Sequence, residues 1–359
     1  MKKRAWIALA FILPLLAAAV FYGYQKWGAQ NSSTRNDLLA MMPADASAVV
    51  FVNLSELRAA PFLAQLYAWA PKPQADPDYL QFVKDTGFDY ERDLDRLALA
   101  IVKHGQQSST LFVIADGRFD KAKISAFASK TGTVSTIGAR ELFSVPASDG
   151  AKRIAFTFLR NGRIALGDGP ELAGLLNAKN RSAGSADWRP RFERLAGSPV
   201  FAVIRQDAAI GDALVAQAPS GLRSPQLSTL LDQLQWITIA GKPQNDRLQI
   251  VAEGESTAET TTRQLADVLN GVLILAEAGL NDAKTRQQLD PAARAAYLEL
   301  VKSANVDKID RGDTKSVRLA FEITPAFLES SRRAPAEPPP ASSPKPLPGK
   351  ASPSRKGHT

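Results

Sequence analysis

One segment of the sequence occurs twice, and this recurrence constrains the fold more than any other feature. LDRLALAIVKHGQQSSTLFVIADG occupies residues 94–117, and LDQLQWITIAGKPQNDRLQIVAEG occupies residues 231–254. Each copy contains two β-rich runs around a polar turn, a pattern that predicts a hairpin. Among the residues that recur 137 positions apart are Leu94, Asp95, Leu97, Leu111, Ala115 and Gly117, matched by Leu231, Asp232, Leu234, Leu248, Ala252 and Gly254. The recurrence favours an internal duplication. The alternative is chance similarity between strands of the same period.

The elements around the two copies follow the same order. A β-rich run, SAVVFVN, precedes the first copy, and SPVFAVI precedes the second. A helical pattern follows each copy, with apolar residues three and four positions apart. The order strand, helix, strand, strand, helix is typical of a split βαβ unit. The predicted fold is therefore α+β, with two tandem ferredoxin-like (split βαβ) repeats and mostly antiparallel sheets, over residues 38–185 and 186–331.

Local signals predict where several elements begin and end. Asn161-Gly162 predicts a tight hairpin turn, and Gly132 predicts the end of a helix. Asp168-Gly169-Pro170 predicts the start of another helix. A dinucleotide-binding loop is disfavoured there, because its third glycine is required where Leu172 stands. Ser256 with Glu259 predicts a capping box at the start of an amphipathic helix.

The chain begins with a cationic cluster and a long apolar run. Lys2, Lys3 and Arg4 precede an uncharged stretch that ends at Tyr24. Twenty helical residues at about 1.5 Å each span roughly 30 Å, the thickness of a bilayer's hydrocarbon core. We therefore predict an uncleaved transmembrane helix, a signal anchor, over residues 1–26, followed by a polar linker over residues 27–37. The membrane-embedded positions include Ala5, Trp6, Phe11, Leu15, Val20 and Tyr24.

The N-terminal charge predicts the orientation of the chain. Lys2, Lys3 and Arg4 are expected to keep the short N-terminal end in the cytoplasm. The body then faces the periplasm or the cell exterior of a bacterial inner membrane. The absence of cysteine fits a bacterial envelope better than a eukaryotic secreted domain. A cleaved signal peptide is the alternative, since Ala17-Ala18-Ala19 offers a small-residue cleavage site.

The positive charge of the chain lies at its two ends. The formal net charge is +8; residues 1–26 carry +4 and residues 332–359 carry +5, which leaves −1 for residues 27–331. A body without net positive charge argues against nucleic-acid binding. Residues 332–359 contain eight prolines, which predicts a disordered tail. The tail is expected to contact anionic lipid or cell-wall polymers, or else to be solvated without a role. Its cations are Arg332, Arg333, Lys345, Lys350, Arg355 and Lys356.

Chemically reactive side chains are few in this sequence. There is no cysteine, and the two histidines are His104 and His358. No catalytic residue, metal site or cofactor is therefore predicted. Lys130-Thr131-Gly132 resembles one element of penicillin-recognising serine enzymes, but the Ser-x-x-Lys sequence at Ser342 lies in the predicted tail.

Two further motifs have structural and functional interpretations. The carboxylates of residues 85–95 lack the spacing of a calcium-binding loop, and we predict that they cap helices and turns. Arg311-Gly312-Asp313 matches an adhesion tripeptide. Between two strand-like runs, it is predicted to be a hairpin turn.

Two sequence patterns resemble those of uncharacterised membrane-anchored or exported bacterial proteins of a domain-of-unknown-function type. The first is Pro43-Ala44-Asp45-Ala46, directly before the first strand. The second is a Gly-x-Asp-x-x-x-Asp-Leu-x-Arg run, formed by Gly87, Asp89, Asp93, Leu94 and Arg96. The resemblance covers mainly residues 38–175. It implies export, and it implies no activity.

Three functional hypotheses follow from the sequence. The leading one is a non-enzymatic envelope protein, anchored in the membrane, that binds another envelope protein through its α+β body. The second is a module that binds a lipid or small ligand between the repeats, because sheets with apolar residues on both faces can frame a pocket. The third, an envelope hydrolase, requires a cluster of polar residues in one cavity.

Overall fold

A computed structural model describes residues 32–69, 77–104, 108–146, 153–177, 185–206 and 225–333. Within these ranges, no helix combines the length and the apolar composition needed to cross a membrane. The predicted anchor and its flanking lysines lie outside the described residues, as does the tail beyond Arg333. Residues 32–37, predicted to belong to a linker, are helical.

The described residues form twelve strands and thirteen helices. The strands are β1 Ala48–Asn53, β2 Leu94–His104, β3 Ser108–Gly117, β4 Thr133–Ile137, β5 Arg140–Pro146, β6 Arg153–Arg160, β7 Arg163–Asp168, β8 Val200–Arg205, β9 Trp236–Gln244, β10 Arg247–Ser256, β11 Asn305–Asp310 and β12 Lys315–Ile323. The helices are α1 Ser32–Leu39, α2 Leu54–Arg58, α3 Pro61–Trp69, α4 Pro77–Thr86, α5 Tyr90–Asp93, α6 Lys121–Thr131, α7 Gly169–Asn177, α8 Arg189–Arg194, α9 Pro225–Asp232, α10 Glu259–Asn281, α11 Ala283–Gln288, α12 Pro291–Ser303 and α13 Pro325–Arg333.

All twelve strands belong to one sheet. Their order is β11-β12-β10-β9-β8-β1-β2-β3-β7-β6-β5-β4, and every pairing is antiparallel. The predicted α+β class with antiparallel pairing is confirmed. At the centre β1 pairs with β8, the β2–β3 hairpin lies beside β1, and the β9–β10 hairpin lies beside β8.

The predicted ferredoxin-like arrangement is not found among the described strands. In a split βαβ unit, the two strands that a helix connects run parallel, and another strand lies between them. Here β1 pairs antiparallel with β2 although helices connect them. The order strand, helix, strand, strand, helix is compatible with either arrangement, because the order of elements does not specify which strands pair.

The two copies of the recurring segment agree in their second strand and differ in their first. Leu111, Ala115 and Gly117 lie in β3, and their counterparts lie in β10. Leu94 lies in β2, whereas Leu231 lies in α9. Ala115 pairs with Leu97, but Ala252 pairs with Ile239. The first half of the sequence match therefore joins structurally different positions, because the second hairpin is shorter: Leu97 and Ala115 are 18 positions apart, whereas Ile239 and Ala252 are 13 apart.

Face A of the sheet, the side that carries Phe51, Phe112 and Phe201, holds the largest core cluster. Strand alternation places these apolar side chains on one side, and α1, α7 and α8 cover them. Phe51 and Phe201 are paired residues at the centre of the sheet, with stacked rings whose centroids lie 5.3 Å apart. Trp188 is fully buried above them and donates a hydrogen bond from Nε1 to the Ala44 carbonyl at 3.0 Å.

Face B, the side that carries Val50, Leu99 and Ile239, is covered by three separate groups of helices. Residues from α2, α3 and α13 form one cluster over the centre. Residues from α9 and α10 form another towards β11, and residues packed against Phe143 and Phe156 form a third towards β4. Both faces of the sheet are thus buried, although face B is covered in patches.

Most of the predicted element boundaries are confirmed. Gly132 caps α6, its N–H bonding to the Ala128 carbonyl. Gly162 adopts a φ of 75° in the β6–β7 turn, a conformation that glycine reaches without steric cost. Helix α7 begins at Gly169. The predicted capping box is wrong: Ser256 ends β10 and accepts from the Ala258 N–H, and the Glu259 carboxylate pairs with Arg263.

Candidate binding surface

A single row of apolar residues crosses face B from one edge of the sheet to the other. Each strand contributes one residue, and neighbours in the row are cross-strand partners, so their side chains lie on the same side of the sheet. In sheet order the row is Val306, Leu319, Ala252, Ile239, Ala202, Val50, Leu99, Val113, Leu166, Phe156, Phe143 and Val134.

The middle of this row is incompletely covered. Leu99 and Phe156 are buried beneath helices, but Ile239 keeps 36% of its surface exposed. Its cross-strand partners, Ala202 and Ala252, are half-buried. The side chains on both sides of Ile239 are thus small, and the helix clusters leave Ile239 incompletely covered. An incompletely covered apolar position of this kind can receive an apolar group, as ligand sites are mostly apolar.

The C-terminal half of α10 carries the two most exposed large apolar side chains in the described ranges. Ile274 is 68% exposed and Leu275 is 73% exposed. The buried residues of this helix, Thr261, Thr262, Leu265 and Ala266, all lie in its first turns. Gly271, Ala278 and Gly279 border the exposed pair on the helix surface. We name these five residues, Gly271, Ile274, Leu275, Ala278 and Gly279, the α10 patch.

The charges around the α10 patch are of both signs. On α10, Asp267 and Glu277 border it, and Asp282 caps α11 just beyond its end. Helix α11 carries Lys284 and Arg286, both exposed. From Val268 to Ala276 the helix has nine uncharged residues. The patch is therefore an apolar centre with a mixed polar rim, the composition found at protein–protein interfaces.

Sequence reasoning missed the α10 patch. In the amphipathic helix that is predicted to follow Ser256 and Glu259, helical spacing places five residues on the apolar stripe: Leu265, Val268, Leu269, Val272 and Leu273. Ile274 and Leu275 fall outside that stripe by helical spacing. Apolar residues off the core-facing stripe of a long helix are the signal that predicts an exposed apolar surface.

A network of ion pairs ties α8 and the β11–β12 turn to the sheet. Glu253 and Glu255 alternate along β10 on face A and are both buried. Glu255 accepts hydrogen bonds from Arg191 and Arg194 of α8. Glu253 accepts from Arg311, at 2.6 Å to Nη1, and from Arg318, at 3.0 Å to Nη2. Arg191 also lies over the Trp236 ring, 4.0 Å from its centroid.

The electrostatics of the network favour its charged form. Burial alone would raise the pKa of Glu253, but hydrogen bonds and charge from Arg311, Arg318 and Arg194 outweigh burial and hold that pKa below its usual value. Burial lowers the pKa of Arg191, and Glu255 opposes that shift. Buried charges require such partners, because an isolated charge is costly in a low-dielectric interior. The two glutamates and the arginines of the network bond to one another, which fits a structural role.

A second buried ion pair occupies the matching position in the other half of the sheet. Asp116 lies 137 positions before Glu253, and its carboxylate accepts two hydrogen bonds from Arg163, at 2.5 Å and 2.7 Å. Arg163 is the cross-strand partner of Asp116, as Arg318 is of Glu253. The carboxylate lies on the second hairpin strand in both cases, and the arginine lies on the strand beyond it.

The acidic segment of residues 85–95 has the capping role that its sequence predicts. Asp89 caps α5 by accepting from the Glu91 N–H at 3.0 Å. Asp93 accepts from the Asp89 N–H at 2.9 Å and pairs with Arg92 and Arg118. Burial would raise the pKa of Asp93, but these partners lower it overall. In the described part of the chain, no group of three or more His, Asp and Glu side chains has a metal-binding arrangement.

The remaining predicted residues lie apart from the α10 patch. Arg311-Gly312-Asp313 forms the β11–β12 turn, as predicted, with Gly312 at a φ of 78°. His104 is exposed at the end of β2. Arg332 and Arg333 are the last residues of α13. The predicted anchor residues and the other tail cations lie outside the described ranges.

Comparison with known proteins gives fold-level likenesses to solved structures. No family model and no curated protein matches the chain. Crystal form III of TP0453 is similar with a TM-score of 0.44 and 11% identity, covering 82% of this chain and 96% of that one. Crystal form I of TP0453 is similar with a TM-score of 0.42 and 10% identity, covering 86% of this chain and all of that one.

Proposed function

We propose that this protein is a membrane-anchored, non-enzymatic binding protein of the bacterial envelope. Its folded body faces the periplasm or the cell exterior and docks another envelope protein through the α10 patch. The observation that carries the proposal is the exposure of Ile274 and Leu275, at 68% and 73%. Adjacent large apolar side chains left in water are a feature of interaction surfaces.

The surroundings of the α10 patch favour a protein partner over a lipid surface. Contact with an anionic membrane requires a concentration of cations beside the apolar residues. Asp267, Glu277 and Asp282 are acidic. They are balanced by Lys284 and Arg286 of α11 and by Arg294 of α12, which donates to the Leu280 carbonyl. A protein partner accommodates a mixed rim, because complementary charges on both sides set the orientation of docking.

The location rests on the sequence of the first 26 residues. A cationic start before twenty uncharged residues supports an inner-membrane anchor with the remainder exported. Anchoring also suits a binding role, because a tethered body meets membrane-bound partners at a raised effective concentration.

An internal duplication of the body is a further part of the proposal. It is supported by the matching ion pairs of Asp116 with Arg163 and Glu253 with Arg318.

Replacing both exposed apolar residues, Ile274→Asp with Leu275→Asp, is expected to abolish partner binding while the fold is retained. Surface substitutions of this kind change stability by only about 0.5 kcal/mol, whereas removal of central apolar contacts costs an interface about 2 kcal/mol or more, at least a tenfold loss of affinity. The full-length chain would be crosslinked in intact cells and purified, and the copurified envelope proteins quantified by mass spectrometry.

Leu80 provides the matched control. It is 54% exposed on α4, remote from α10 in sequence, so Leu80→Asp is expected to retain every partner of the natural chain. Equal loss of copurified proteins in Leu80→Asp and in the α10 double variant would indicate a general effect of added charge. Unchanged copurification in the α10 double variant would contradict the proposal.

A small apolar ligand is the second candidate, favoured by the incompletely covered Ile239 between Ala202 and Ala252. Native mass spectrometry of the full-length chain would detect a bound molecule as an added mass. Ile239→Lys would be expected to remove that mass while leaving copurification through the α10 patch intact. The two candidates are therefore separable by one pair of variants.

A further inference from the structure

The two edges of the sheet differ in chemistry. An edge strand exposes unpaired backbone groups, and proteins commonly protect it with charged side chains. The outer strand β11 carries Asp307, Lys308 and Asp310 in six residues. The opposite edge strand, β4, has the sequence TVSTI, with no charged residue. One edge is therefore protected against further pairing, and the other has no such protection.

Strand β4 is also open to solvent. It pairs with β5 on one side, and no other described strand pairs with it. Four of its five residues are exposed, and Val134 keeps 47% of its surface in water. The β-branched residues Thr133, Val134, Thr136 and Ile137 favour an extended backbone. The edge strand is thus preformed and has no charged residue of its own, with an exposed apolar residue on face B. The nearby Arg153 guanidinium of β6 donates to the Thr133 hydroxyl at 3.1 Å.

We propose that β4 pairs antiparallel with β4 of a second copy of this chain, forming a two-fold symmetric dimer. Maximal overlap of a five-residue strand with itself places its middle residue, Ser135, on the two-fold axis. Thr133 then lies opposite Ile137 of the other copy, and Val134 lies opposite Thr136. This register juxtaposes no like charges, and it continues the backbone hydrogen bonding of the sheet.

Features of this chain favour a second copy over its own remaining segments. Residues 334–359 contain eight prolines, and proline lacks the N–H that a ladder requires. A five-residue pairing alone buries less area than a stable soluble dimer needs. The predicted anchor compensates for that deficit, because two chains held in one membrane meet at a raised effective concentration.

The absence of cysteine from the natural chain makes disulfide capture a direct test. In Ser135→Cys, the two introduced thiols face each other across the axis, with Cβ atoms about 4.5–5.5 Å apart. That separation is close to disulfide geometry, so mild oxidation of membranes bearing the full-length chain is expected to yield a covalent dimer. Ser135 is exposed, so the substitution preserves the fold.

Thr133→Cys is the register control on the same strand. Its thiols would lie about 13 Å apart along the paired strands, four residues at about 3.3 Å each, so its dimer yield is expected to be at least about tenfold lower. Lys308→Cys on β11 controls for collisions at the other edge. Absence of a dimer from Ser135→Cys would overturn the proposal, as would equal yields at positions 133 and 135 or capture of a different protein.

Discussion

Replacing Glu255 with alanine is expected to lower the free energy of unfolding by about 3–5 kcal/mol, because it leaves buried cations without their carboxylate. Glu255 is 1% exposed and accepts hydrogen bonds from both Arg191 and Arg194. Arg191 is itself buried, and its Nε has no hydrogen-bond partner. Urea denaturation of the full-length chain in detergent, monitored by tryptophan fluorescence, would measure the change in the free energy of unfolding.

The control for this experiment removes a carboxylate from an exposed ion pair. Glu193 pairs with Arg189 at 2.9 Å, and both side chains are more than half exposed. Glu193→Ala is expected to change the free energy of unfolding by less than about 0.5 kcal/mol. If Glu255→Ala were as mild as Glu193→Ala, the network would not hold α8 to the sheet.

Replacing Phe201 with alanine is expected to be equally severe, at about 3–5 kcal/mol, because it opens a cavity at the centre of the sheet. Phe201 is 1% exposed and stacks on Phe51, its cross-strand partner. The Arg35 guanidinium of α1 lies over its ring, 5.1 Å from the centroid. The substitution thus removes the contacts that Phe201 of β8 makes with Phe51 of β1 and with Arg35 of α1. The same denaturation measurement would detect the loss.

A double-mutant cycle would show whether the two central rings depend on each other. Aromatic pairs typically couple by about 0.5–1.5 kcal/mol beyond their burial, so Phe51→Ala with Phe201→Ala is expected to be less destabilising than the two single losses added. Phe327→Ala is the control for loss of a phenyl ring, since Phe327 is only half-buried and its ring contacts Tyr297 rather than either central ring. Exact additivity at positions 51 and 201 would contradict the proposed contact.

Local features of the fold were predictable from the sequence because short-range physics determines them. Gly132 ends a helix at a point where a Cβ would collide with the Ser144 carbonyl, and Gly162 turns a hairpin at a positive φ that favours glycine. Asp290 caps α12, accepting from the N–H groups of Ala292 and Ala293. The capping box at Ser256 failed because β10 extends through that residue, and its hydroxyl serves the turn that follows.

The strand order was beyond sequence reasoning because it depends on long-range pairing. Leu97 and Leu234 match in sequence, yet only Leu97 lies in a strand, and the true counterpart in pairing is Ile239. The second hairpin is shorter as a whole, which shifts the correspondence of the first strand by five positions. The local sequence pattern does not specify this shift. The matching pairs Asp116 with Arg163 and Glu253 with Arg318 become visible only when the register is known.

The candidate binding surface was only partly predictable. The amphipathic pattern of α10 predicted its core-facing stripe, in which Leu265 is buried and Val268 and Leu269 are partly buried. The exposure of Ile274 and Leu275 depends on which neighbouring elements cover them, and that is decided by tertiary packing. The anchor prediction, by contrast, rests on composition alone. It remains a prediction, as do the domain boundaries and the contacts of the tail.

Site-specific photocrosslinking at position 275 in living cells tests the central claim most directly. A photoreactive side chain would replace Leu275 in one strain and Leu80 in another, both in the full-length protein. Docking through the α10 patch predicts a discrete adduct with one envelope protein at position 275 and none at position 80. Identical adduct patterns at the two positions, or no protein adduct at position 275, would contradict it.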